Sequence, residues 1–75
     1  MPAPVKRYEV AIHNKEVRRL VQSGERHRQL QDNWADTHYI TFSACDAEDA
    51  RRKAFARYPE DKGFVIEQIS LSQDD

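Results

Sequence analysis

The sequence predicts a two-layer α/β (α+β) sandwich, with a three-stranded, mainly antiparallel sheet. One well-defined helix is expected over about residues 46–58, with further helix in the 14–36 connector. Three observations predict this. Apolar residues alternate over 6–13, 38–44 and much of 64–71, the period of a strand. A capped stretch with one apolar stripe at helical spacing lies between the last two runs. Such a helix has to lie on a sheet with one apolar face.

In the first strand, Tyr8, Val10 and Ile12 alternate with Glu9, Ala11 and His13. The connector carries two short stripes. Val17, Leu20 and Val21 follow a candidate Asn14 cap, and His27, Leu30 and Trp34 come later. The stripes are displaced by roughly a quarter of a turn at ~3.6 residues per turn, so one straight helix does not align them. Ser23-Gly24 lies between. The reading is a short helix, a break at Gly24, and a second helical or irregular stretch. The alternative is a hairpin turning at Ser23-Gly24. A broken stripe favours an antiparallel first pair of strands over a parallel crossover.

The second strand places Ile40, Phe42 and Ala44 on one face and Tyr39, Thr41 and Ser43 on the other. Asp46 then caps the helix, with Asp49 in a capping-box-like position, and Asp46, Glu48 and Asp49 suit the helix dipole. Ala47, Ala50, Ala54, Phe55 and Tyr58 fall on one side, and the alanines allow a close approach to the sheet. Glu48/Arg52 and Asp49/Lys53 have the favourable acid-before-base order. Arg51 falls inside the apolar stripe, so its stem either snorkels to the margin or its head meets an acid. Pro59 stops the helix. After the turn Pro59-Glu60-Asp61-Lys62, Gly63 introduces the last strand. By strict alternation Phe64 and Ile66 point one way, and Val65, Ile69 and Leu71 the other. A strand apolar on both sides is either central or meets a partner. Tyr39, Thr41, Val65, Ile69 and Leu71 would then share the exposed sheet face.

Seventy-five residues make one domain over 1–75, with 1–4 and 72–75 as loose ends. A chain this short buries only ~60–65% of its unfolded surface, so each large apolar residue counts. The single cysteine excludes an intramolecular disulfide and suits a reducing cytosol, so a cytoplasmic location is expected. No apolar run is long enough to span a bilayer, and no membrane partner is expected. Charge is unevenly spread. Residues 1–28 carry net +4, 29–50 carry −5, and 51–62 carry +3. Such blocks either form a dipolar surface that steers a charged partner or alternate as solvated faces.

Chemistry-bearing residues are few. His13, His27, His38 and Cys45 match no compact ligand spacing, so no metal and no cofactor are expected. Cys45 lies beside a helix N-terminus, but the neighbouring carboxylates oppose a thiolate and no histidine is near in sequence. Asp32 and Asp36 read as solvated acids on a polar connector. With only Gly24 and Gly63, no phosphate-cradling loop exists. Catalysis is therefore not expected.

Two binding classes remain. The favoured one is a protein-interaction module, taking a protein partner or a second copy of itself through an exposed face or a strand edge. The other is nucleic-acid binding. Arg18, Arg19, Arg26 and Arg28 in the connector, and Arg51, Arg52, Lys53 and Arg57 on the helix, suit phosphates. Tyr8, Trp34 or Tyr39 would stack on bases. An acidic overall pI, and Glu16, Glu25, Glu48 and Asp49 interleaved with the bases, weigh against it. Those eight basic residues with Trp34 and Tyr39 form the candidate partner-binding set. Trp34 is the sharpest test between core and interface. The strand–helix–strand layout with Asp46-Ala47-Glu48-Asp49-Ala50 resembles that of small accessory proteins. Some of these are carried by phages and plasmids, anti-CRISPR-type inhibitors among them. The resemblance implies an inhibitor or adaptor that works by binding, and assigns no residue a role.

Overall fold

A computed structural model describes residues 4–28 and 30–72; of the ends expected to be loose, 1–3 and 73–75 lie outside the described residues. The elements in order are β1 (Lys6–Asn14), α1 (Lys15–Gln22), a 3-10 turn (Asp32–Ala35), β2 (His38–Ala44), α2 (Ala47–Arg57), a second 3-10 turn (Glu60–Lys62) and β3 (Phe64–Leu71). The three strands form one antiparallel sheet in the order β2-β1-β3, and with the helices they make a small α+β fold. The Ser72 amide donates to the Arg7 carbonyl at 2.8 Å, so the ladder runs one residue past β3.

β1 is the central strand, and its second half, Val10 to Asn14, is buried on both faces. Strict alternation leaves β3 either central or meeting a partner, and the strand order rules out the central position. Ala11 lies opposite Gln68 but Ile12 opposite Ile66, so Glu67 is a bulged residue with no partner in the ladder. One extra residue flips the face of everything beyond it. Phe64, Ile66, Ile69 and Leu71 therefore share the face of Tyr8, Val10, Ile12 and Asn14, together with Ile40, Phe42 and Ala44. The expected exposed patch dissolves accordingly. Ile69 and Leu71 belong to the helix-side face, while Tyr39, Thr41 and Val65 remain on the open one.

The core fills the space between that face and α2. Val10, Ile12, Ala44, Ala50, Ala54 and Phe64 are buried, and Tyr8, Leu30, Trp34, Ile40, Phe42, Tyr58, Ile66 and Ile69 pack against them. Removing a Val or Ile side chain from water stabilises by ~1.5–3 kcal/mol, and Val10, Ile12 and Val17 are sealed almost completely. Ala50 and Ala54 have no exposed surface, as expected of a helix lying close to a sheet. The predicted stripe is wider than the real contact: Ala47 is exposed and Phe55 half-buried. Arg51 is exposed, its guanidinium 5.6 Å from the centre of the Phe55 ring.

Capping holds the elements in place. Asp46 accepts the Asp49 amide at 2.8 Å, and Asp49 reaches back to the Cys45 amide at 3.1 Å, one residue before a regular capping box. Arg52 pairs with Asp49 three residues before it, and Lys53 lies 3.5 Å from the same carboxylate. That carboxyl is held below its ordinary pKa, first by the Cys45 amide and then by Arg52. Asn14, fully buried, accepts the amides of Glu16 and Val17 at 3.0 and 3.1 Å and donates to the Lys62 carbonyl at 3.0 Å. It thus caps α1 and latches it to the start of β3. Gly63 sits over this latch with φ +95°, and a Cβ there would fall 2.9 Å from Asn14 Oδ1.

The Ser23-Gly24 hairpin does not form. Gly24 at φ +77° ends α1 in a Schellman motif, with Glu25 N donating to Leu20 O at 2.7 Å and Gly24 N to Val21 O at 3.0 Å. Val17 is buried, but Val21, read as part of the same stripe, is 39% exposed. The second stripe is irregular until the 3-10 turn that carries Trp34.

Candidate functional site

Three chain segments meet at the end of the core where α2 stops. Pro59 ends α2, whose C-cap is Tyr58; the second 3-10 turn and Gly63 then deliver Phe64 beside it. From the other side, the first 3-10 turn brings in Trp34. The Trp34 ring stacks on His38 at 4.1 Å between centroids and lies 5.3 Å from Tyr58 and 5.2 Å, edge-on, from Phe64. Tyr58 and Phe64 are 5.3 Å apart. Tilted and edge-on pairs at these separations are favourable ring geometries. His38 is held by an Nε2 contact to the Asn33 carbonyl at 2.9 Å.

An open cleft of about 550 Å³ lies against this cluster. Leu30, Trp34, Tyr58, Pro59 and Phe64 make an apolar lining, and Glu16, His27, Arg57, Asp61 and Lys62 add charge around it. The Leu30 amide donates to His27 Nδ1 at 3.1 Å, so the neutral ring carries its hydrogen on Nε2, 3.7 Å from a Glu16 oxygen. The Arg57 guanidinium lies 6.0 Å from the centre of the Tyr58 ring. Among the described residues, no serine, threonine or cysteine lines the cleft. It is an apolar seat with both signs of charge at its margin.

The candidate residues are dispersed. Trp34 and Arg57 line the aromatic cleft. Arg19, Arg26 and Arg28 converge on an adjoining depression of about 390 Å³, which shares Glu16 and His27 with the cleft and has Glu25 in its wall. Arg51 and Arg52 line a third, beside Glu48 and Phe55. Lys53 donates to the Ser43 carbonyl at 2.7 Å, on the edge of the sheet. Tyr39 stands 68% exposed on the open face of β2. Arg18 is built into the fold: its Nε donates to the Ala35 carbonyl at 2.8 Å and its Nη2 lies 3.9 Å from Glu67. The connector and helix arginines therefore do not form one surface.

Two groupings escaped the sequence reading. Leu30, Tyr58 and Phe64 read as core residues and are also cleft lining. Their signal was positional, since each aromatic sits at the end of an element and those ends meet. On the open face, the bulged Glu67 accepts Thr37 Oγ1 at 2.6 Å and contacts His13 Nδ1 at 2.7 Å. Those hydrogen bonds, with the Arg18 charge nearby, hold its carboxyl below the ordinary range. Nothing in the spacing of His13, Thr37 and Glu67 announces this, because alternation gives Glu67 a face but not its neighbours from β1 and the segment before β2. Among the described residues, no group of three or more His, Cys, Asp or Glu is placed to hold a metal ion, and no helix is long and apolar enough to cross a membrane. No protein-family model, curated protein or solved structure matches the chain.

Proposed function

We propose that this protein is a non-enzymatic binding module that acts by docking a protein partner in the aromatic cleft. The observation that carries the reading is the lining itself: Trp34 and Tyr58 are packed on the core yet only half-buried, and together with Leu30 and Phe64 they face an open cleft. Exposed aromatic surface next to arginine is the composition of interface hot spots. The fitting ligand is a peptide segment with one aromatic or aliphatic anchor, flanked by an acid for Arg57 or Lys62 and a base for Glu16 or Asp61.

Selection from a displayed random-peptide library tests this. Enriched peptides are expected to share such an anchor and to change the fluorescence of Trp34, the only tryptophan. Arg57→Glu and Lys62→Glu should each weaken binding by roughly tenfold, as loss of a charge contact does, with the far-ultraviolet CD spectrum unchanged. Enriched peptides indifferent to both substitutions would remove the cleft from the reading.

A second reading rests on the convergence of Arg19, Arg26 and Arg28 around one depression, which favours an anionic partner such as a nucleic acid. Glu16 and Glu25 in the same wall weigh against it. Anisotropy titration of labelled duplex DNA, single-stranded DNA and RNA at low and moderate salt separates the two. Saturable, steeply salt-dependent binding lost in Arg19→Glu would put the second reading ahead.

A further inference from the structure

The free edge of β2 is unusual in carrying no charge of its own. Its sequence, His38-Tyr39-Ile40-Thr41-Phe42-Ser43-Ala44, contains no Asp, Glu, Lys, Arg or Pro, and its register with β1 is unbroken from end to end. Exposed edges are normally blunted by charge, proline or a bulge. β3, the other edge, has its bulge at Glu67.

The backbone directions on β2 follow from two hydrogen bonds. The Arg7 carbonyl accepts from Ser72 and the Lys15 amide donates to Gly63, so the odd-numbered residues of β1 aim their backbone groups at β3. Arg7, Glu9 and Ala11 are thus non-hydrogen-bonded opposite Ser43, Thr41 and Tyr39. Tyr39, Thr41 and Ser43 accordingly turn their N–H and C=O groups to the outside. The Lys53 ammonium covers the Ser43 carbonyl, and among the described residues none bonds the outward groups of Tyr39 or Thr41.

We propose that β2 pairs with β2 of a second copy, antiparallel about a two-fold axis at Thr41, to make a continuous six-stranded sheet. This register uses the whole strand. Thr41 faces its own mate, Tyr39 faces Ser43, and Ile40 faces Phe42. Ile40 and Phe42 point to the helix side and are only half-buried in one copy. Across the axis each covers the other, which extends the apolar face. The two-fold also sets the helices antiparallel. α2 begins with acids, Asp46 as cap then Glu48 and Asp49, and continues with Arg51, Arg52, Lys53 and Arg57. Each acidic end then lies alongside the basic half of its mate, a self-complementary arrangement suited to an isologous interface. Lys53, released from Ser43 by the incoming Tyr39 amide, gains those acids as partners. None of the residues lining the aromatic cleft belongs to β2, so this pairing stands or falls independently of the cleft.

Sedimentation equilibrium over a concentration series is the test, on the full chain. The wild type should approach twice 8.8 kDa. Thr41→Lys, which opposes two like charges at the axis while leaving the pairing with β1 untouched, should raise the dimer dissociation constant by roughly tenfold or more. Geometry is checked by oxidation in a Cys45→Ser background. Thr41→Cys should cross-link to a disulfide dimer, its Cα atoms ~5.5 Å apart as a hydrogen-bonded pair. Leu71→Cys, on the β3 edge, should not. A monomer at every concentration overturns the proposal. So does a dimer indifferent to Thr41→Lys, or one that cross-links at Leu71 and not at Thr41. Should Thr41→Lys fail to fold, the cross-linking pair alone decides.

Discussion

Glu67 has no partner in the strand ladder, yet it is among the most connected side chains on the open face of the sheet. Thr37 and His13 bond its carboxylate and Arg18 stands close, joining β1, α1, the segment before β2, and β3 at one oxygen. These contacts favour the charged form, so the folded-state pKa lies below the unfolded one. The sign follows. The stabilisation is complete above the unfolded-state value, roughly 4.3 for Glu, and is lost as pH falls through the lower folded value, because the unfolded chain takes up the proton first. Asp49 has the same sign through the Cys45 amide and Arg52. Glu67→Gln keeps the shape and an acceptor but removes the charge. It should lower stability at neutral pH and flatten the decline in urea-denaturation midpoint below about pH 4.3, the range in which a carboxylate of this type titrates. A wild-type slope in the variant would show that the charge on Glu67 contributes nothing to folding.

At the scale of elements, the bulge explains both what was legible and what was not. Regular alternation is a local property, so β1 and β2 could be read residue by residue, and the α2 caps follow from Asp46 and Pro59 within one turn of each end. Gly24 announced the end of α1 for the same reason. A bulge has no such local mark. Phe64-Val65-Ile66-Glu67-Gln68-Ile69-Ser70-Leu71 reads as apolar on both sides unless Glu67 is taken out of the count. Without it, Phe64, Ile66, Ile69 and Leu71 alternate cleanly with Val65, Gln68 and Ser70. Deletions test this directly. Removing Glu67 leaves Phe64, Ile66, Ile69 and Leu71 on the core face, so that variant should fold to the same sheet, destabilised by about 1–3 kcal/mol for the lost polar contacts. Removing Val65 reverses Phe64 relative to Ile66 and withdraws a buried ring from the core. That variant should be largely unfolded at 25 °C by CD and by loss of dispersed amide resonances. Two equally folded deletions would mean that the register of β3 is not set by its apolar face.

In the whole molecule, Arg26 and Arg28 could be enumerated from the sequence but not placed, because their surface depends on how the connector returns after Gly24. Trp34 poses the same problem in sharper form, as a large ring in a polar stretch that fits either a core or an interface. In the fold the ring stands at the edge of the core and in the wall of the cleft. The ring packs against Tyr58, Phe64 and His38, and it also lines the cleft. It ties the connector to β2, α2 and β3, and a domain of this size has no second core to compensate. Trp34→Ala should therefore cost about 2–4 kcal/mol, less than a fully buried aromatic because the ring is half-exposed. Against the roughly 4–11 kcal/mol available to a chain of this length, the variant still folds in the more stable part of that range, with its thermal midpoint lowered by roughly 10–25 °C. Trp34→Phe keeps a ring on Tyr58 and Phe64 and should recover about half of the loss, a partial refilling of the same site. Thermal melts followed by CD read all three proteins. A midpoint for Trp34→Ala within a few degrees of wild type would mean that the connector is held elsewhere. A cleft floored by a side chain the fold does not need would then have to be explained by binding alone.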